Sequence, residues 1–177
     1  MNTPFFPPVE VWRLAEGVLD SSLREMSTDG IRGNEGVVLW LGRRTQGQAE
    51  ITYLVGLRGS GVTKRPDLLV ISPWVVNEVA DAALQLNVSL IGQIHTHGPG
   101  YGIDLSRTDR TRGIAVPHFL SVVAPDYGLR SDIAITDCGV HVFEPGLGYR
   151  RLSVREVEQR VQVVPGSPPP LLLIGQD

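Results

Sequence analysis

Two short, apolar, β-branched runs, GVVLWLG (36–42) and EITYLVGL (50–57), set the strongest limit on this chain, because segments of that length and composition form strands. The polar, glycine-containing RRTQGQA between them predicts a hairpin loop. Ahead of the pair, Val11, Leu14, Ala15, Val18, Leu19, Ser22 and Met26 recur at helical spacing after Pro7-Pro8. They predict a helix over about 8–27, stopped by Asp29-Gly30. Behind the pair, LLVI (68–71) predicts a short strand leading into Ser72-Pro73, an N-cap and first-turn combination. The second helix then carries Val75, Val79, Ala82 and Leu86 on one face, ends near Asn87 and runs into the strand VSLIGQI (88–94).

Three further strands are expected at FLSVVA (119–124), DIAIT (132–136) and VHVFE (140–144). Ser153 with Glu156 forms a capping-box pattern that opens a third helix through about Val161. The closing PGSPPPLLLIGQD reads as a polyproline-type spacer and a short apolar end. The expected fold class is α/β: a single mixed β-sheet domain flanked by three helices over residues 1–164, followed by a proline-rich tail over 165–177.

A length of 177 residues suits one domain with a sizeable core. An apolar fraction of 42% and a charged fraction of 20% fit a globular chain. With a net charge of −3 and no Lys/Arg block, neither a nucleic-acid nor an anionic-membrane surface is expected. No apolar run reaches the roughly 20 residues that span a bilayer. The opening MNTPFFPPVEVW lacks a basic region followed by an apolar one, so secretion is not indicated. The lone Cys138 makes no internal disulfide, which fits a reducing compartment. A cytoplasmic location is the expectation.

The chemistry concentrates at IHTHGPGYGIDLSRTD (94–109). His95 and His97 stand two apart at the end of a predicted strand, where alternate side chains share a face, so both imidazoles can converge on one ion. A glycine-rich turn follows, and Asp109 can supply an anionic third ligand. Two histidines, a carboxylate and a fourth position for water are the composition of a catalytic zinc site. Nitrogen and hard oxygen donors without thiolate favour zinc, with iron and manganese compatible with the same set. Each piece has a plain alternative: an isolated His-x-His is more often surface or hydrogen-bonded, and Ser106 with Asp109 is also a helix N-cap pattern. His118 and His141 stand singly and read as structural. GLRGSG (56–61) reads as a turn rather than a phosphate loop, and Cys138 has no paired base nearby in sequence.

The stretch IGQIHTHGPGYGIDLSRTD resembles the JAMM (MPN, JAB domain) metalloprotease signature, His-x-His, a spacer, then Ser-x-x-Asp, as in prokaryotic deubiquitinase-like members. Its spacer of eight residues, 98–105, is one longer than the commonest family form. A Gly98-Pro99 pair replaces the usual proline directly after the second histidine. Glu35-Gly36-Val37-Val38-Leu39-Trp40-Leu41-Gly42 looks like the family segment that carries a glutamate ahead of an early core strand, with Val38 where many members have a second glycine. FLSVVAPDYG is similar to the downstream strands, so the resemblance covers roughly residues 8–161.

The resemblance implies JAMM/MPN, cytidine-deaminase-like architecture, with Zn2+ on His95, His97 and Asp109. It further implies Glu35 as the proton-transferring base and Ser106 as an oxyanion donor. The implied substrate is the bond after the C-terminal glycine of a ubiquitin-like protein, joined to a lysine amine or a peptide extension. Partners would be that protein, its conjugates and cognate activating and conjugating enzymes. Two alternatives stay open: trimming the C-terminus of a sulfur-carrier protein, and a non-catalytic MPN scaffold that only binds partners. Oligomeric state and the role of the tail are not legible in the sequence.

Overall fold

Every residue from Val37 to Leu41 is buried, and alternate side chains feed opposite cores. Val38 and Trp40 join one cluster, while Val37, Leu39 and Leu41 join the other. A strand apolar on both faces has to lie inside a sheet covered on both sides. The computed structural model describes residues 7–175. Residues 1–6 of the N-terminus examined for a leader, and Gln176-Asp177 of the tail, lie outside the described residues.

The chain runs β1 (Val9–Ala15), α1 (Val18–Ile31), β2 (Val37–Thr45), β3 (Gly47–Leu57), β4 (Val62–Arg65), β5 (Leu68–Ile71) and α2 (Pro73–Gln85). It continues with β6 (Ser89–Thr96), α3 (Arg107–Arg112), β7 (Leu120–Ala124), β8 (Gly139–Glu144), β9 (Gly148–Arg151), α4 (Val154–Arg160), β10 (Val161–Val164) and β11 (Leu171–Ile174). The result is a mixed α/β fold. Among the described residues its sheet has nine strands in the order β10-β1-β3-β2-β6-β7-β8-β9, with β11 also on β3, and β4-β5 forms a separate pair. One core holds α1 against Trp12, Trp40 and Ile94; the other holds Val75, Val79 and Ala83 of α2 against Val37, Leu39 and Leu41. Trp40, fully buried, satisfies its indole N–H on Ser22 Oγ of α1 at 3.1 Å.

Several expectations are corrected. The helix expected over 8–27 is a strand and a helix: residues 9–15 pair in parallel with both β10 and β3, and α1 begins only at Val18. Gly17 at φ 84° makes the break, since a left-handed residue continues neither element. The loop expected at 43–49 is almost all strand, because pairing continues to Thr45↔Gln48. DIAIT is not a strand: β8 already has β7 and β9 as neighbours, and Ile135–Asp137 is a 3-10 turn.

Among the described residues four α-helices replace the expected three, the extra one being α3 inside the histidine-aspartate stretch. Ser72 stands before α2 as expected, but its side chain makes no cap hydrogen bond. The buried face of α2 uses Ala83 rather than Ala82 and Leu86. The third expected helix ends at Arg160, and Val161–Val164 becomes β10 beside β1. In the tail, Leu171–Ile174 pairs in parallel with Leu54–Leu57, so it forms part of the sheet. No helix among the described residues is long and apolar enough to cross a membrane.

Candidate metal centre

β6 delivers the two histidines. Ile94 faces the α1 core, so the alternation of the strand turns His95 and His97 to the opposite face, the one shared with Val37 and Leu39. Both rings are buried, and their Nε2 atoms lie 3.3 Å apart. Asp109 arrives from the first turn of α3, with Oδ2 at 3.6 Å from His95 Nε2 and 3.4 Å from His97 Nε2. The three form a group able to hold a metal ion.

Hydrogen bonding orients these donors. His97 Nδ1 lies 3.0 Å from the Gly102 carbonyl, which can only accept, so Nδ1 carries a proton and Nε2 is the ring atom turned to Asp109 and, in the neutral ring, the one with a lone pair for an ion. Ser106 caps α3 with a reciprocal box: its Oγ accepts from Asp109 N–H at 3.1 Å, and its own N–H donates to Asp109 Oδ2 at 2.7 Å. The carboxylate oxygen that faces both imidazoles is therefore fixed by the same six-residue helix. Burial by itself would raise the Asp109 pKa, but the adjacent His95 and His97 outweigh it and hold the carboxyl well below the usual range. Burial likewise pulls His97 down, and the hydrogen bond to Asp109 with the charges of Glu35 and Asp109 reverses this, leaving it raised.

Glu35 lies just before β2 and is buried, at 5% exposure. Its N–H donates to Arg65 O of the β4–β5 pair at 3.0 Å. Its neighbour Gly36 exchanges hydrogen bonds with Thr96, the residue between the two histidines: Gly36 N–H to Thr96 Oγ1 at 2.9 Å and Thr96 N–H to Gly36 O at 3.1 Å. Burial, only partly relieved by His97 and reinforced by Asp109, pushes the Glu35 carboxyl up to about 7. All five residues singled out in the sequence are thus brought to one end of β6. Cys138 is buried beside Ala134 and its thiol is pushed up to about 12 by burial.

Sequence reasoning missed the brace behind this site. Asp104 Oδ1 accepts from buried His141 at 2.7 Å and from Arg110 Nη2 at 3.0 Å, and Arg110 also reaches Tyr149 O. These contacts tie the 98–106 loop to β8 and β9. The solitary His141 carried no signal beyond its strand, because its partner lies 37 positions away. His118 donates its backbone N–H to Phe143 O, a structural contact. Beside Asp109 opens a cleft of about 410 Å³, lined chiefly by Leu69, Ile71, Val76, Ile114 and Val116.

No family model and no curated protein matches the chain. Solved structures do resemble it. A solution structure of a protein from Desulfitobacterium hafniense has TM-score 0.64 at 13% identity, over 88% of this chain and 94% of that one. A solution structure of a protein from Salinibacter ruber has TM-score 0.53 at 18% identity, over 88% and 92%. At these identities the likeness concerns the fold alone.

Proposed function

We propose that this protein is a zinc-dependent metallopeptidase of JAMM/MPN type, hydrolysing the bond after the C-terminal glycine of a ubiquitin-like protein. The observation that carries the reading is the triangle of His95 Nε2, His97 Nε2 and Asp109 Oδ2, with edges of 3.3, 3.4 and 3.6 Å. Ligand atoms about 2.0–2.2 Å from a tetrahedral zinc lie about 3.3–3.6 Å from one another. Three lone-pair atoms so close repel unless a proton or a cation lies between them, and the donor set suits zinc. Zinc there would supply Lewis acidity toward a carbonyl and toward a water.

The chain's own residues complete the chemistry. With a pKa near 7, Glu35 is poised at neutral pH to take a proton from an attacking water and return it to the leaving amine. Ser106 Oγ spends a lone pair on its cap, so its O–H stays free to donate to a developing oxyanion. The proposed glycine-rich tail would add as a strand in the cleft: among the described residues β5 pairs with β4 alone, and its Leu69 and Ile71 line the space beside Asp109. Incubation with a ubiquitin-like protein extended beyond its C-terminal glycine tests this. Cleavage after the glycine that stops with chelator and returns with zinc is expected; cleavage insensitive to chelator would overturn it.

A further inference from the structure

The turn after β7 is unusual. Asp126 and Tyr127 both sit at φ 54°, and Gly128 at φ 69°. Two consecutive non-glycine residues in the left-handed region persist only where the surroundings over-determine them. Here three contacts do so. Tyr127 N–H donates to His97 O at 2.8 Å, Tyr127 O closes over Gly30 of α1, and the Tyr127 phenol donates to Pro66 O at 3.2 Å. The ring crosses directly above Gly98, where a Cβ would fall 2.6 Å from Cζ and Oη.

This contact accounts for the glycine at 98 noted in the sequence: no side chain fits there while the phenol occupies that space. The same Oη meets Pro66 in the turn between β4 and β5, next to Arg65, whose carbonyl receives the Glu35 N–H. One residue therefore links the backbone of His97, through its own N–H, to the segment that anchors Glu35, through its phenol.

We propose that Tyr127 is a positioning residue that sets the placement of Glu35 relative to the His97 end of β6, with Gly98 as the seat for its ring. The proposal rests on reading Glu35 as the base, but its geometry is testable apart from that reading. In Tyr127→Phe the ring stays and the tie to Pro66 is lost. Backbone hydrogen exchange should then rise about 3- to 10-fold at Glu35 and across 62–71 only, by loss of one hydrogen bond. Co2+ affinity and the visible spectrum of the Co2+ form should stay as in wild type, and the unfolding midpoint should fall by no more than the loss of that one hydrogen bond. Gly98→Ala, which displaces the phenol, should give the same exchange pattern. Unchanged exchange at Glu35 and 62–71 in both variants, or a rise spread evenly over the chain, would overturn the proposal. A wild-type protein that takes up neither Zn2+ nor Co2+ would instead remove the metallopeptidase reading and leave the exchange result standing.

Discussion

Ser106 and Asp109 lock each other at the start of α3: Ser106 N–H donates to Asp109 Oδ2 at 2.7 Å while Asp109 N–H donates to Ser106 Oγ at 3.1 Å. Oδ2 is also the oxygen turned toward both imidazoles. A helix cap and a metal ligand are therefore one device.

That device makes Ser106→Ala informative. The Ser106 N–H contact to Oδ2 is backbone and survives, so zinc content should stay near wild type. Loss of the Oγ cap should cost about 1 kcal/mol of stability. Loss of an oxyanion donor should lower kcat by about 10²–10³. Normal turnover with only the stability loss would reduce Ser106 to a cap.

Elemental analysis of untagged protein should give one zinc per chain. His95→Ala and Asp109→Ala should each lose most of it, since two remaining ligands cannot close a tetrahedral site. Full zinc in both variants would refute the ligand assignment.

Glu35 gives a pH-dependent stability. Its carboxyl is raised from 4.5 to about 7 in the fold. Between those values the folded chain binds more protons than the unfolded one, so metal-free stability falls as pH rises through this window. Glu35→Gln removes the buried charge. In urea unfolding of metal-free protein it should be the more stable form by roughly 1–3 kcal/mol at pH 8, with the gap closing toward pH 5. Its turnover should drop ~10²-fold or more with zinc retained. A gap independent of pH would show that Glu35 is not a buried titrating group.

Cys138 should be inert. A thiol pushed up to about 12 carries almost no thiolate at pH 8. Iodoacetamide should label it only after unfolding, and Cys138→Ser should hydrolyse at a rate close to wild type. Labelling of native protein that abolishes cleavage would point to thiol chemistry instead.

Truncation after Val164 removes β11 and uncovers the backbone of Leu54–Leu57, together with the partly buried Leu172 and Ile174 contacts. A loss of roughly 2–4 kcal/mol in denaturant unfolding is expected from two such side chains. A truncated chain as stable as the full one would make 165–177 a dispensable tail.

Local pattern determined a great deal. Apolar β-branched runs made β2, β3 and β6; period two placed His95 and His97 on one face; and Ser-x-x-Asp and Ser-x-x-Glu wrote the caps of α3 and α4. All of these are set by residues within a few positions of one another. The tertiary structure alone decided the rest, because the partners are far apart in sequence. Residues 9–15 are a strand only because β10, some 150 positions later, and β3 flank them in parallel. Glu35 becomes a buried, high-pKa carboxyl only when Arg65 and Thr96 hold its segment against β6. Asp104 meets His141, and Tyr127 meets Gly98 and Pro66, only once the sheet has stacked β6, β7 and β8 side by side. Side-chain period is local, whereas burial and long-range pairing are properties of the assembled sheet.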